Sequence, residues 1–300
     1  HLIIDGISWT ILLEDLANLY QQGQSGEPLS LPLKTDSFQY WQDQQYKYAA
    51  SEALQKEEAY WSVIEAVDVQ SLRLDYPQGS NTIKDVDLES FVLDEELTTR
   101  LLTKCYKAYH TDINDILLTA FSLAMQEVFA IEKIGIKIEG HGREDIGSDI
   151  DISRTIGWFT SMYPIVFDLN YSHDNIRQLI EIKETLHRVP NKGIGYGILR
   201  YLAKKDYKLN PEITFNYLGD VGSGLSSEEG EGQFSSAFDG EMQKDSLFLV
   251  SGLILKCELH LSIEYSNKQF SSTTIKRINA AYQRHLEELI EELSSEQKNH

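Results

Sequence analysis

The chain has 300 residues, of which 41% are hydrophobic and 25% are charged. That length suits one large α/β unit or two lobes, and the composition is that of an ordinary globular protein. Acidic residues outnumber basic ones, which gives a formal net charge of −20. Such a surface repels nucleic-acid phosphates and anionic lipid, so we expect neither nucleic acid nor a membrane as a partner. An acidic protein partner would have to dock through apolar or locally basic contacts.

Cysteine and histidine usage argues against disulfide and metal chemistry. Cys105 and Cys257 lie far apart in the sequence, and we expect both to be small core residues in a reducing compartment. The eight histidines are scattered without the spacing of metal ligands, so we expect no metal site. No apolar run reaches the roughly 20 residues of a membrane-spanning helix, and we predict a cytoplasmic protein.

Helical spacing of apolar residues dominates the first quarter of the chain. It predicts a helix over residues 7–21 and a second helix that begins after the N-cap Ser37 and ends near residue 65. The turn-forming sequence Asp-Tyr-Pro-Gln-Gly at 75–79 is typical of a linker. We therefore predict two lobes, residues 1–76 and residues 77–300.

The rest of the chain alternates strand and helix signals. A strand over residues 86–93 is followed by a helix capped by Asp94, and Thr111 or Asp112 caps the next helix. Isoleucines at every second position over 134–138 predict a strand that delivers Glu139 at its end. We further predict strands over 163–169 and 213–218, a mobile loop over 219–233, a strand-rich stretch over 248–265 bent near Ser251 and Gly252, and a helix over 273–293. Strands interspersed with helices indicate an α/β sandwich.

Several common catalytic motifs are absent from the sequence, namely those for phosphate loops, dinucleotides, serine hydrolases and zinc proteases. Gly193–Gly197 lacks the dinucleotide spacing and predicts a flexible or tightly turning loop. The stretch Glu139–Glu144, Glu-Gly-His-Gly-Arg-Glu, places charged groups in a turn where a strand ends, which fits either a solvated turn or a functional site. His1 taken alone is a weak signal, since a lone histidine is more often structural than catalytic.

Taken together, six short blocks resemble the epimerization branch of the condensation-domain superfamily of nonribosomal peptide synthetases. Residues 1–9 resemble the HHxxxDG core motif, with its first histidine lost upstream, and Glu139–Glu144 is identical to the EGHGRE signature of that branch. The remaining blocks, in the same order as in the family, are Asp115–Ala120, Arg154–Thr160 leading to Tyr163-Pro164, Pro190–Gly197 (PxxGxGYG) and Phe215–Gly219 (FNYLG). The chain begins without methionine, so we interpret it as a piece of a longer protein that lacks the family's first motif.

The resemblance implies a fold and a reaction. The fold is a two-lobed, chloramphenicol-acetyltransferase-like α/β sandwich, here with an incomplete first lobe. The reaction is epimerization at the α-carbon of an L-aminoacyl or peptidyl thioester, which gives the D form during nonribosomal peptide biosynthesis. The implied partners are a peptidyl carrier protein domain and neighbouring synthetase domains, including a downstream condensation domain. The carrier supplies the 4′-phosphopantetheine arm, so no cofactor of the chain's own is expected.

The resemblance also implies roles for individual residues. His1 and Glu139 are expected to be the catalytic acid and base, with no assignment of which one serves which face of the α-carbon. Asn216 and Tyr217 are expected either to bind the thioester or its intermediate, or to be strand-packing residues. The remaining motif residues are expected to shape the site, with Arg154 as a candidate partner for Asp5; they are Asp5, Gly6, Gly140, His141, Arg143 and Arg154.

Two other functions are compatible with the same fold. A condensation domain forms peptide bonds and shares the HHxxxDG motif, although EGHGRE and FNYLG argue against it. A catalytically inactive relative could serve only as a docking platform for the carrier, which the intact Glu139 and His1 argue against.

Overall fold

The computed structural model describes residues 3–107, 109–147, 149–171, 173–220 and 239–296. The chain forms two compact units that are each discontinuous in sequence. Unit 1 consists of His1–Ala66, Glu139–Tyr163 and Val189–Lys208, and unit 2 of Val67–Ile138, Pro164–Arg188 and Leu209–His300. A single boundary near residue 76, as predicted from the sequence, does not include the two later segments that join unit 1. The assignment of residues 1–76 and 77–300 to two lobes stays a prediction.

The described residues contain helices and strands in the following order. They are α1 (Gly6–Ser25), α2 (Phe38–Ala49), α3 (Glu52–Glu65), β1 (Val86–Leu93), α4 (Glu95–Thr103), α5 (Ile113–Phe129), β2 (Lys133–Gly140), β3 (Ser161–Asp168), α6 (Asn175–His187), α7 (Ile194–Gly197), β4 (Ile213–Asp220), β5 (Phe248–Leu255), β6 (Glu258–Ser266) and α8 (Ser272–Glu296). Short 3₁₀ turns occupy Ile83–Asp85, Cys105–Lys107 and Pro190–Gly193, and a π-helix occupies Ile198–Leu202.

Side-chain caps fix where most of the longer helices begin. Asp5, Ser37 and Asp94 each accept a hydrogen bond from a backbone N–H in the first turn of the helix that follows, which satisfies an otherwise orphaned donor. Asp112 and Asp115 form a reciprocal capping box at the start of α5. The predicted helix starts near Ser37, Asp94 and Asp112 are confirmed.

Unit 2 is built around most of a mixed sheet with the strand order β1-β6-β5-β4-β2-β3. Strand β4 runs parallel to β2 and to β5, whereas β6 runs antiparallel to β5 and β1. Alternation along β5 and β6 places one set of side chains in the core, where aromatic pairs such as Phe91–Tyr282 and Phe248–Phe270 join the sheet to α8 and the turn before it. Along β5 and β6 the opposite face is half-buried and carries polar residues such as Ser251, Ser262 and Glu264.

Two predicted elements are wrong in detail, and so is the predicted burial of one cysteine. The helix predicted over 37–65 is interrupted, because Ser51 caps a new helix by accepting a hydrogen bond from Leu54 N. The bend predicted near Gly252 is absent, and β5 instead turns into β6 at Lys256 and Cys257, whose φ angles are 51° and 66°. Consequently Cys257 is exposed rather than in the core, whereas Cys105 is buried as predicted.

Of the two predictions for the glycine-rich segment, the tight turn is the one observed. Asn191, Lys192 and Gly193 have φ angles of 43°, 49° and 82°, and helix α7 and the π-helix at Ile198–Leu202 follow this turn. Most of the loop predicted over 219–233 lies outside the described residues, and β4 continues through Gly219 to Asp220. Within the described part of the chain, no helix combines the length and apolar composition that crossing a membrane requires.

Candidate active site

Glu139 is the next-to-last residue of β2 and belongs to unit 1. Its carboxyl is half-buried, and burial raises the pKa of Glu139 above its ordinary value. A carboxylate with a raised pKa is a stronger base than an exposed one and takes up a proton closer to neutral pH. The prediction of a strand that carries Glu139 at its end is confirmed. The raised pKa gives this carboxyl the electrostatic setting of an acid–base group.

The turn after Glu139 is held in one shape by its own residues. The backbone N–H of Arg143 donates to His141 Nδ1 over 3.0 Å, and His141 Nε2 lies 3.2 Å from a carboxylate oxygen of Glu144. Gly142 has φ 68°, and a Cβ at this position would lie 1.6 Å from the carbonyl oxygen of Phe159. Only glycine therefore fits here, both for conformation and for space.

Arg143 and Asp5 form the most deeply buried ion pair among the described residues of unit 1. Their side chains are only 7% and 4% exposed, and Arg143 Nη2 donates to Asp5 Oδ1 over 3.2 Å. The other end of the guanidinium donates to the carbonyl oxygens of Ile152 and Thr155 over 2.7 and 2.8 Å. The Cζ atom of Arg143 also lies 3.9 Å from the ring centroid of Phe159. This arginine connects the turn after β2 to the start of α1.

Asp5 anchors the same network from the other side. It caps α1 through Ser8 N over 2.8 Å, and its second oxygen accepts the N–H of Phe159 over 3.1 Å. Burial by itself would raise the pKa of Asp5, but the hydrogen bonds from Ser8 and Phe159 and the charge of Arg143 hold it below its ordinary value. The carboxyl is therefore an ionised structural group and a weaker base than a carboxylate of ordinary pKa.

Ser8 is a residue of the same network that was not predicted from the sequence. Its hydroxyl bonds to the carbonyl and the N–H of Gly157 and accepts from Arg143. A serine three residues after an N-cap aspartate was the only sequence signal for it. Gly6 begins α1, and a Cβ there would meet no atom within 4 Å, so its predicted structural role stays a prediction.

The predicted pairing of Asp5 with Arg154 is wrong. Arg154 Nη2 instead donates to Asp15, and its guanidinium lies 3.9 Å from a carboxylate oxygen of Glu14. Arg154 therefore joins the loop before β3 to the middle of α1, while Arg143 takes the position beside Asp5. Sequence alone could not choose between two arginines of the motifs, because both lie far from Asp5 along the chain.

Asn216 and Tyr217 are neighbours on β4, in unit 2, and leave the sheet on opposite faces. Asn216 pairs with Ser251, which pairs with Ser262 on the half-buried polar face. Tyr217 pairs with Gly252 on the core face, and burial together with Asp220 raises the pKa of Tyr217 to about 12. Their predicted binding roles stay predictions, but alternation allows only one of them to project from the polar face.

His1, the second predicted catalytic residue, lies outside the described residues. Among the residues described, one group could hold a metal ion: ligand atoms of Asp112, Asp115 and His187 lie within 4.8 Å of one another. Asp115 already accepts the Asp112 N–H in the capping box, and the positive end of the α5 dipole disfavours a cation there. We therefore assign no metal to this group.

The chain belongs to the condensation-domain family, because the family model described as "Condensation domain" matches residues 1–300. The predicted condensation-domain fold is confirmed by solved structures. The epimerization domain from the third module of tyrocidine synthetase B superimposes with a TM-score of 0.92 and is 39% identical, over 99% of this chain and 68% of that one. The SgcC5 protein from Streptomyces globisporus has a TM-score of 0.73 at 15% identity, which shows the fold alone.

The curated relatives are subunits of nonribosomal peptide synthetases. Surfactin synthase subunit 1 of Bacillus subtilis (strain 168) is 41% identical over 309 residues, which covers 99% of this chain and 8% of the relative. Gramicidin S synthase 1 of Brevibacillus brevis is 39% identical over 313 residues, which covers 97% of this chain and 28% of the relative. The chain thus spans a small part of the relatives that it matches, and it is a condensation-superfamily domain of the kind that these synthetases contain.

Proposed function

We propose that the chain is an epimerase that acts on an L-aminoacyl or peptidyl thioester held by a peptidyl carrier protein. The observation that carries this proposal is Glu139, a half-buried carboxyl of raised pKa at the end of β2. It opens a sequence identical to the EGHGRE signature of epimerization domains. The likeness to a solved epimerization domain at 39% identity supports the same reaction.

The chemistry needs a base, a proton donor and a stabilised enolate. The base removes the α-proton beside the thioester carbonyl, the electron pair moves into the carbonyl to form an enolate, and a proton then returns to the opposite face. We assign these proton transfers to Glu139 and His1, without fixing which serves which face. Each positioned acid or base contributes on the order of 10²–10⁴-fold to such a rate.

The network around Arg143 gives the turn after Glu139 a fixed geometry. Arg143 is held by four hydrogen bonds to Asp5, Ser8, Ile152 and Thr155. A base that transfers protons must stay within a few tenths of an ångström of its reactive position. We infer that Asp5 and Arg143 position Glu139 and take no part in proton transfer.

Peptide-bond formation is the second candidate, because the family model is that of condensation domains. Condensation transfers an acyl group to an amine and needs no removal of the α-proton. The two reactions are therefore separated by the fate of the α-hydrogen. A protein that only docks the carrier would show neither reaction.

The test uses the full-length protein that contains this chain, with a carrier loaded with an L-aminoacyl thioester in deuterated water. We expect deuterium at the α-carbon together with D product, and a loss of both by about 10²–10⁴-fold in Glu139→Gln. Glu144→Gln is the matched control, since it neutralises another carboxyl of the same motif and should cost at most a few-fold. Exchange that survives in Glu139→Gln would move the essential base elsewhere. With a second carrier added that holds an acceptor aminoacyl group, peptide product without exchange would establish condensation.

A further inference from the structure

One short stretch of unit 1 has a charge opposite to that of the whole chain. Residues 189–208 contain five cationic side chains and a single acidic one, Asp206, although the formal net charge of the chain is −20. The cationic residues are Lys192, Arg200, Lys204, Lys205 and Lys208. Local positive charge on a strongly acidic protein attracts anionic partners that the rest of the surface repels.

The middle of this stretch has a fixed backbone. A π-helix covers Ile198–Leu202, and the N–H groups of Ala203 and Lys205 bond back to Ile198 and Leu199 over 2.9 Å each. Isolated π-turns inside helical segments are uncommon and occur often at functional sites. The side chains after the π-helix therefore project from a rigid support rather than from a freely moving loop.

Glu65 anchors both ends of the support. Its carboxylate accepts from the Tyr196 hydroxyl and from Lys208 N, each over 2.7 Å. These two bonds hold the stretch against the end of α3. Because the stretch is held in place before a partner binds, binding costs less conformational entropy.

Three side chains at the centre of the stretch form what we call the basic patch: Arg200, Tyr201 and Lys204. Tyr201 is 70% exposed, and the Arg200 guanidinium lies 5.5 Å from its ring centroid. Lys204 is exposed, and within the described parts of the chain no carboxylate lies within 4.0 Å of either cation. By contrast, Lys205 and Lys208 are paired with Glu58 and Asp206.

The composition of the basic patch matches a protein interface. Arginine and tyrosine are enriched at binding hot spots, and an exposed tyrosine supplies contact area at low entropic cost. The patch has two cations without acidic partners among the described residues, and in the sequence they stand before and after an exposed tyrosine. This arrangement suits several carboxylates on a protein surface better than one phosphate group. The absence of carboxylates nearby also means that no internal ion pair must break on binding.

We propose that the basic patch docks an acidic surface of the carrier protein during the reaction. This inference rests on the proposed function, which supplies the carrier as the partner. Electrostatic contacts of this kind raise the association rate and select the correct partner more than they add affinity. In this proposal Arg200 and Lys204 contribute to binding of the loaded carrier and take no part in the proton-transfer step.

The test compares two substrates in the full-length protein. One is the aminoacyl thioester on a separately supplied carrier protein, and the other is a small soluble thioester of the same amino acid. The double variant Arg200→Glu/Lys204→Glu should raise KM for the carrier-bound substrate about tenfold, since it replaces two attractions by two repulsions. Its α-proton exchange on the soluble thioester should stay at the wild-type rate.

A matched double variant, Lys34→Glu/Lys56→Glu, reverses two exposed lysines elsewhere and should leave KM within twofold. Raising the ionic strength should increase the wild-type KM and change the KM of Arg200→Glu/Lys204→Glu much less. Binding of the carrier without its arm, measured by titration calorimetry, should weaken in the same variant.

The outcomes separate this inference from the proposed function. An equal rise in KM for both double variants, or no rise for either, would overturn docking at the basic patch. If the carrier without its arm binds the variant Arg200→Glu/Lys204→Glu as tightly as the wild type, the two cations contact the phosphate of the arm. That result would overturn docking of the carrier's protein surface at the basic patch. Wild-type protein that exchanges neither substrate would refute the proposed function, while carrier binding by calorimetry would still test the patch.

Discussion

The buried ion pair between Arg143 and Asp5 allows the sharpest stability prediction. The Arg143→Ala change removes four hydrogen bonds and leaves Asp5, which is 4% exposed, without its counter-charge. Breaking a buried pair from one side costs about 3–5 kcal/mol, because the remaining charge is uncompensated. We therefore expect the free energy of unfolding of unit 1 to fall by about 3–5 kcal/mol at neutral pH.

Tryptophan fluorescence measures this effect selectively. All four tryptophans, Trp9, Trp41, Trp61 and Trp158, belong to unit 1, so urea unfolding followed by their emission reports that unit. Arg154→Ala is the matched control, since its partner Asp15 is part-exposed, and exposed pairs contribute about 0–1 kcal/mol. Equal losses in the two variants would refute the argument from burial.

The same pair predicts a pH dependence. The pKa of Asp5 is lowered in the folded protein relative to about 3.9 when unfolded. Its ionised form therefore stabilises the fold fully above that value, and this stabilisation is lost as the pH falls through the lowered pKa. Arg143→Ala raises the pKa of Asp5, so the difference between wild type and variant should be largest near neutral pH and should shrink below about pH 4.

Three further predictions concern other positions. Gly142→Ala should destabilise unit 1 by more than Gly147→Ala in urea unfolding, because both have positive φ but only the first would place a Cβ 1.6 Å from Phe159 O; equal losses would contradict the clash. Tyr282→Phe should raise the free energy of unfolding by about 1 kcal/mol, since the buried hydroxyl has no hydrogen-bond partner among the described residues. Urea unfolding followed by circular dichroism measures this change, and a lower value in the variant would contradict the reasoning. The α-proton exchange rate should rise with pH through a pKa above the ordinary glutamate value of about 4.3, because burial raises the pKa of Glu139 and only the ionised form is a base. A profile without that step would remove Glu139 as the base.

Local elements were well determined by the sequence. Capping by Asp5, Ser37, Asp94 and Asp112 depends only on a side chain and the N–H groups a few residues later, so the sequence determined these helix starts. Ser51 carried the same signal and was missed, because the apolar spacing on both sides continued without a break. The EGHGRE turn was also readable, since it followed an alternating strand.

Long-range choices were decided by tertiary structure. Two arginines of the motifs were available to Asp5, and only the path of the chain after β2 places Arg143 there and Arg154 beside Asp15. Gly252 was predicted to mark a bend, but its missing side chain instead leaves room for Leu261. A Cβ added at Gly252 would lie 2.9 Å from Leu261 Cδ2. Alternation along β4 sends Asn216 and Tyr217 to opposite faces, and the register with β5 decides which of them lies on the core face. Sequence thus determined what depends on neighbours along the chain, and the tertiary structure decided which distant partner each buried polar group and each glycine meets, because those contacts depend on packing rather than on spacing.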